Sequence, residues 1–249
     1  MRSAVTQTMD EVLSQGLPEN PDAEAKERLV AADSAGPMLV EQFRNLAASL
    51  NRLQRERSLK SLIVTSPAPG DGKSHVAVNL AMTLSGSYRR RVLLIDADLR
   101  RPTLHLLFHR PSTPGLSDAL KAEGDTPVEG VPINDRLTLL PAGSPDRNPI
   151  GDLSSGRMVR LMMGVAARFD WVIVDSPPVG GLADARIISE VVDASILVVR
   201  AGVTRFPDVE EAAAALGLER ILGVMLNAID PNEIRRGDYY RHYYEDGTS

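Results

Sequence analysis

The sequence predicts an α/β fold in which a mostly parallel β-sheet is covered by helices on both faces. Three observations carry this expectation. Short runs rich in Val, Ile and Leu recur along the chain, helical stretches separate them, and three of the runs lead into residues suited to phosphate or a cation. Strands that are apolar throughout, rather than alternating, are those buried on both sides, as parallel strands are. The expected strands are 62–65, 92–96, 137–141, 172–175, 196–200 and 223–227; the expected helices between them are 73–84, 156–168, 183–191 and 207–216.

Three units are expected along the chain. Residues 1–36 are polar and carry Gly16, Pro18, Pro21 and Gly36, which reads as a loosely ordered arm. The main domain, 37–229, opens with Val40, Phe43, Leu46, Leu50 and Leu53 at steps of three or four, while Glu41, Arg44, Arg52 and Arg55 take the other face, as in an amphipathic helix. A polar tail, 230–249, holds Tyr239, Tyr240, Tyr243 and Tyr244 and is expected to be mobile.

Composition narrows the function. The chain has 249 residues, 43% of them apolar, enough for one substantial core. A net charge of -5 argues against nucleic acid as the main partner, because such binding needs a clustered basic face. The absence of Cys rules out disulfides and thiolate metal sites, and four scattered His make a zinc centre a poor fit. The first ten residues lack the apolar core of a signal peptide, and no run approaches the ~20 apolar residues of a spanning helix. The expected location is cytoplasmic, with any membrane link made through another protein.

Ser66-Pro67-Ala68-Pro69-Gly70-Asp71-Gly72-Lys73-Ser74 comes after an expected strand and opens an expected helix, with His75 next. In that context successive backbone N–H groups converge on an anion. The glycines permit the close turns, Lys73 reaches the β- and γ-phosphates of a nucleotide, and the Ser74 hydroxyl is a ligand for Mg²⁺. The pattern G-x-x-x-x-G-K-[ST] is departed from at its first glycine, where Pro67 stands. The fold is thus read as a P-loop NTPase, with ATP and Mg²⁺ as cofactors and Pro69 to His75 as the binding segment.

Asp96 and Asp98 end one expected strand and Asp175 ends another. Ligands of an open parallel sheet bind beyond the carboxyl ends of its strands, so all three carboxylates are expected near the loop. Buried anions resist desolvation and repel one another, which calls for a cation; the alternative is that Asp96 or Asp175 caps the following turn. Asp98 is the candidate base or nucleophile-orienting group, with Asp96 able to share the task, and the sequence does not separate them.

These motifs resemble the bacterial tyrosine kinases of capsule and exopolysaccharide synthesis, relatives of the MinD and ParA ATPases. The resemblance runs from Glu41 to Tyr244. It rests on the phosphate loop with Asn79-Leu80-Ala81, on Leu93 to Pro102 with its Asp-x-Asp-x-Arg pattern, on Val172 to Pro178, and on the tyrosine cluster. It implies that Lys73 binds phosphate, that Ser74, Asp98 and Asp175 hold the metal and its waters, that Asp96 assists, and that the tail tyrosines of a neighbouring subunit accept phosphate. It further implies a homo-oligomer, a transmembrane activator of the polysaccharide chain-length-regulator type that places the kinase at the inner membrane, and a phosphotyrosine phosphatase. The family's subunit-contact motif, Glu-x-x-Arg-x-x-Arg, is present as Glu41, Arg44 and then Ala47, without its second Arg. Glu41 and Arg44 also read as a solvated i, i+3 pair. Asn227 resembles the residue that contacts adenine in related ATPases, or caps a turn before Pro231. Arg100 and Arg101 are read as phosphate or tail ligands, or as surface cover.

Two other readings stand beside this one. A MinD- or ParA-like switch ATPase would usually carry a second Lys early in the phosphate loop, and residues 66–69 contain none. A non-catalytic ATP-binding regulatory subunit has less use for Asp98.

Overall fold

The computed structural model describes residues 36–122, 129–146 and 148–229. The expected arm before Gly36, the tail and its four tyrosines lie outside these residues. The first described helix is α1 (Pro37–Arg57), with Pro at its first turn and Ser58 at φ 55° ending it. Next come β1 (Ser61–Thr65), α2 (Lys73–Gly86), β2 (Val92–Asp96), and the short helices α3 (Leu104–Leu107) and α4 (Leu116–Lys121). The chain continues through β3 (Val131–Pro132), β4 (Leu137–Leu140), α5 (Ile150–Leu153), α6 (Gly156–Arg168) and β5 (Trp171–Asp175). It closes with α7 (Asp184–Glu190), β6 (Ala194–Arg200), α8 (Phe206–Leu216) and β7 (Ile221–Asn227).

The sheet order is β3-β4-β2-β5-β1-β6-β7. All pairings are parallel except β3 with β4. The two-residue β3 and the helices α3, α4 and α5 were not expected, since segments this short carry too few residues for a periodic signal. The longer elements fall within two residues of their expected bounds.

One face of the sheet is covered by α1 and α2, whose Phe43, Ala47, Leu50, Leu80 and Leu84 share a core with Leu62, Leu94 and Ile173. The other is covered by α6, α7 and α8 through Met158, Met162, Ile188, Ala212 and Leu216. The central strands β1, β2 and β5 are buried at every position, which is why they are apolar between their polar ends. At the amino ends, Asp193 accepts from the Lys60 and Ser61 amides at 2.7 and 2.8 Å and ties β1 to β6. At the carboxyl ends the chain leaves β1 and crosses past β5 to β2, so a crevice opens where β1, β2, β5 and β6 finish.

Candidate nucleotide site

The phosphate loop spans the gap between β1 and α2. Pro69 and Gly70 form its exposed crown, and Gly72 caps α2 at φ 94° with no side chain capping the helix. The first turn, which holds Lys73 and Ser74, thus presents its amino end to the loop, where helix amides and dipole favour an anion. Gly72 is favoured there by its left-handed backbone angle, and a Cβ would also displace the Asn227 side-chain amide from the loop. On its other side the loop is held by Val179 and Gly180, whose amides donate to the Ser66 and Pro67 carbonyls at 2.8 and 3.2 Å. Pro67, the departure from the glycine pattern, serves here through its carbonyl, which proline retains.

The three aspartates gather beside this loop, but in different environments. Asp96 Oδ2 accepts from the Thr103 and Leu104 amides at 3.0 and 2.9 Å, and Oδ1 from the Asp98 amide at 3.2 Å. It therefore caps α3. Burial pushes its pKa up to about 6, opposed by the Leu104 and Thr103 amides and helped by the charge of Asp98. Asp98 turns Oδ1 to the Arg101 amide at 3.0 Å and Oδ2 to the Lys73 ammonium at 3.5 Å.

Asp175 lies opposite Asp96 in register. It is fully buried, and both of its oxygens lack a hydrogen-bond partner. Burial pushes its pKa up to about 7; the Lys73 charge opposes this and Asp96 adds to it. The Ser74 hydroxyl lowers it through a weak hydrogen-bonding contact that falls short of full hydrogen-bond geometry. An orphaned buried carboxylate facing a phosphate loop fits a hydrated cation. Among the described residues no three His, Asp or Glu side chains form a closed cage. Mg²⁺ does not require one, because it keeps several waters and takes its remaining ligands from substrate phosphates and one or two protein groups.

Other expected site residues have partners of their own. Asn227 donates from Nδ2 to the Asp71 carbonyl at 2.8 Å, so its amide grips the phosphate loop. Arg100 makes a two-pronged pair with Asp184, Nε to Oδ2 at 2.7 Å and Nη2 to Oδ1 at 3.1 Å, which anchors the segment after β2 onto α7. Its pKa rises through that bond. Arg101 is exposed. Glu41 and Arg44 form an i, i+3 pair at 3.6 Å with side chains 43% and 52% exposed, while Ala47, where the family pattern has its second Arg, is fully buried in the core. Position 47 thus faces inward and supplies no outward charge.

Reading the sequence missed Thr103, whose hydroxyl lies 3.4 Å from that of Ser74, along with Asp184 and Thr204. None belongs to a motif. Only the fold brings them to the site.

Comparison with known proteins leads to the same family. Residues 59–232 match the family model described as Cellulose biosynthesis protein BcsQ. The chain is 33% identical over 227 residues to the tyrosine-protein kinase YwqD of Bacillus subtilis, covering 90% of this chain and 95% of that protein. Against a putative tyrosine-protein kinase EpsB of Ralstonia nicotianae it is 33% identical but spans 27% of that longer protein. The solved kinase domain of Escherichia coli tyrosine kinase ETK superposes with a TM-score of 0.74 at 30% identity, covering 80% of this chain and 79% of that one. At 21% identity and a TM-score of 0.57, the septum site-determining protein MinD of Pyrococcus horikoshii shares the fold. No described helix is long and apolar enough to cross a membrane. The chain belongs to the bacterial tyrosine-protein kinase family, on a P-loop ATPase fold that it shares with MinD and ParA proteins.

Proposed function

We propose that the chain binds Mg·ATP at this loop and transfers the γ-phosphate to Tyr239, Tyr240, Tyr243 and Tyr244 of a neighbouring subunit. The observation that carries this reading is the placement of Asp98 Oδ2 at 3.5 Å from Lys73 Nζ, which sets a proton acceptor beside a phosphate-binding ammonium. Lys73 and the amides opening α2 orient the phosphates. Asp98 accepts the tyrosine proton as the phenol oxygen attacks the γ-phosphorus, the bond to the β,γ-bridging oxygen breaks, and ADP leaves. Mg²⁺ held by Ser74, Asp98 and Asp175 would neutralise charge developing on the phosphate oxygens. Asp96 supports the step by fixing the loop that carries Asp98.

The tail fits the role of substrate by its composition. From Asn227 to Tyr239 is twelve residues, a reach of ~40 Å when extended, so transfer within one chain is also sterically open. Each phosphotyrosine adds ~1.5 to 2 negative charges, which would repel a carboxylate-rich site. On this reading unmodified tails dock in neighbouring sites and hold a homo-oligomer together, phosphorylation releases them, and a phosphotyrosine phosphatase resets the cycle. The regulated process is exopolysaccharide or capsule assembly. A transmembrane partner of the chain-length-regulator type brings the kinase to the membrane and activates it. The relative named Succinoglycan biosynthesis transport protein ExoP, of Rhizobium meliloti, supports this setting.

The test is to incubate wild-type protein and Lys73→Ala with Mg·ATP and map phosphotyrosine by mass spectrometry. Phosphate on the tail tyrosines in the wild type alone is the expected result. Hydrolysis of ATP with no phosphotyrosine, even with the membrane partner added, would replace this reading with a switch ATPase.

A further inference from the structure

The residue between the two loop glycines has the wrong charge for its surroundings. A carboxylate beside a polyphosphate repels it, yet Asp71 is there and is 2% exposed. Its bonds show how the conflict is met. Oδ2 accepts from the Ala68 amide inside the loop at 3.0 Å, and Oδ1 accepts from the Thr204 hydroxyl at 2.7 Å. Both oxygens are spent on the protein, and the carbonyl of the same residue accepts from Asn227 Nδ2.

Thr204 is itself fixed. Its amide donates to the Arg200 carbonyl and its hydroxyl accepts from the Arg200 amide, both at 3.0 Å. The next amide, that of Ala201, donates to the Asn227 carbonyl at 2.8 Å. A closed circuit therefore runs from the phosphate loop to the turn after β6, across to the end of β7, and back to the loop. Within it the Asp71–Thr204 bond joins two side chains; removing the Thr204 hydroxyl also takes an acceptor from the Arg200 amide, which is exposed and can turn to water instead.

We propose that Asp71 and Thr204 are positioning residues for nucleotide binding: the Thr204 hydroxyl, acting through the Asp71 carboxylate, holds the phosphate loop in its anion-binding shape before the nucleotide arrives. The inference rests on the reading of this loop as the nucleotide site, not on transfer to tyrosine. A loop already in its bound shape loses less conformational freedom on binding, and that saving appears as affinity. Pro67 makes the brace more necessary, because the loop lacks the first glycine of the usual pattern and is gripped instead from both flanks.

The experiment uses the full chain with Thr204→Val, which has a similar shape and no hydroxyl, and Thr204→Ser, which keeps the donor. Three quantities are read: Mg·ATP affinity by calorimetry, amide exchange in the peptide containing Ala68, and the melting temperature. Thr204→Val is expected to bind about tenfold more weakly, equivalent to about 1.4 kcal/mol. Exchange at the loop should quicken while the melting temperature stays within about 2 °C of wild type. Thr204→Ser should recover affinity to within about twofold. Asp71→Ala should weaken binding in the same direction. Wild-type affinity in Thr204→Val overturns the proposal, as does a fall in melting temperature that Thr204→Ser does not repair. Tighter binding by Asp71→Ala, the result expected if charge repulsion dominated, overturns it too. Protein that binds Mg·ATP but never phosphorylates tyrosine sinks only the kinase transfer, whereas wild type that binds no Mg·ATP sinks both.

Discussion

Asp96 and Asp175 end adjacent strands, lie opposite each other in register and are equally buried, yet they stand at opposite extremes of hydrogen bonding. Asp96 accepts three backbone amides; neither oxygen of Asp175 accepts any. The difference comes from the path the chain takes as it leaves each strand. After β2 the chain folds back so that Thr103 and Leu104 aim their amides at Asp96. After β5 it runs through Pro177 and Pro178, which have no amide hydrogen to offer. One carboxylate organises a loop, and the other is left without partners. Buried polar groups without partners are uncommon in folded proteins, and beside a phosphate loop this one fits the proposed cation.

The largest expected effect tests this contrast at Asp175. On the proposed reading Asp175→Asn should lower phosphotransfer by more than about 100-fold, because it removes a carboxylate proposed to hold the cation. The same change should stabilise the unliganded protein by about 1–3 kcal/mol, since an uncompensated buried charge is removed. The raised pKa sets the sign of the pH dependence. Asp175 titrates at 3.8 unfolded and about 7 folded, so the native state binds more protons between those values. Its favourable share of stability is complete below pH 3.8 and is lost as pH rises through about 7. Unliganded wild type should therefore lose melting temperature from about pH 5 to 8 more steeply than Asp175→Asn does. Parallel slopes would show that Asp175 already has a partner.

Arg100 extends the comparison to a carboxylate whose partner is a side chain. Asp184 is fully buried, and Arg100 meets both of its oxygens. Arg100→Ala should cost about 2–4 kcal/mol in chemical denaturation, most of it from stranding Asp184. Arg100→Ala with Asp184→Asn should recover part of that loss. If the double variant is no better than the single, the role of Arg100 lies elsewhere.

Asp96→Ala comes next, at about 1–3 kcal/mol of destabilisation, because the Thr103 and Leu104 amides lose their acceptor. Its stability effect should be opposite in sign to that of Asp175→Asn, which melting curves of the two variants at neutral pH can show directly. Two shifts of the same sign would end the distinction between cap and site.

The sheet was legible because its central strands are buried on both faces and so carry unbroken apolar runs, and the phosphate loop was legible because its glycines and Lys-Ser pair have fixed chemical tasks. The division of labour among the aspartates was not. Asp96, Asp98 and Asp175 look alike in sequence, and only the path of the chain after each strand decides which oxygens find amides. The sequence favours Arg100 as a phosphate or tail ligand only slightly over surface cover, and misses its pairing because Asp184 lies far along the chain and belongs to no motif. Ala47 marked a missing arginine in the family pattern, yet its place in the core depends on how α1 lies on the sheet, a matter of packing rather than of period.

Glu41 and Arg44 form the limiting case, a carboxylate neither buried nor in need of its partner. Both side chains are about half exposed, and the contact is long at 3.6 Å. Within one subunit the pair should contribute only ~0.2–0.5 kcal/mol, so Glu41→Ala should leave the monomer's denaturation midpoint nearly unchanged. An effect on assembly alone would then reveal a role in subunit contact, and light scattering at matched concentration measures it. Loss of assembly in Arg44→Ala with unchanged monomer stability would place the contact on this face of α1. Unchanged assembly in both variants would leave the pair as solvated charge, consistent with the inward turn of Ala47 one helical turn further on.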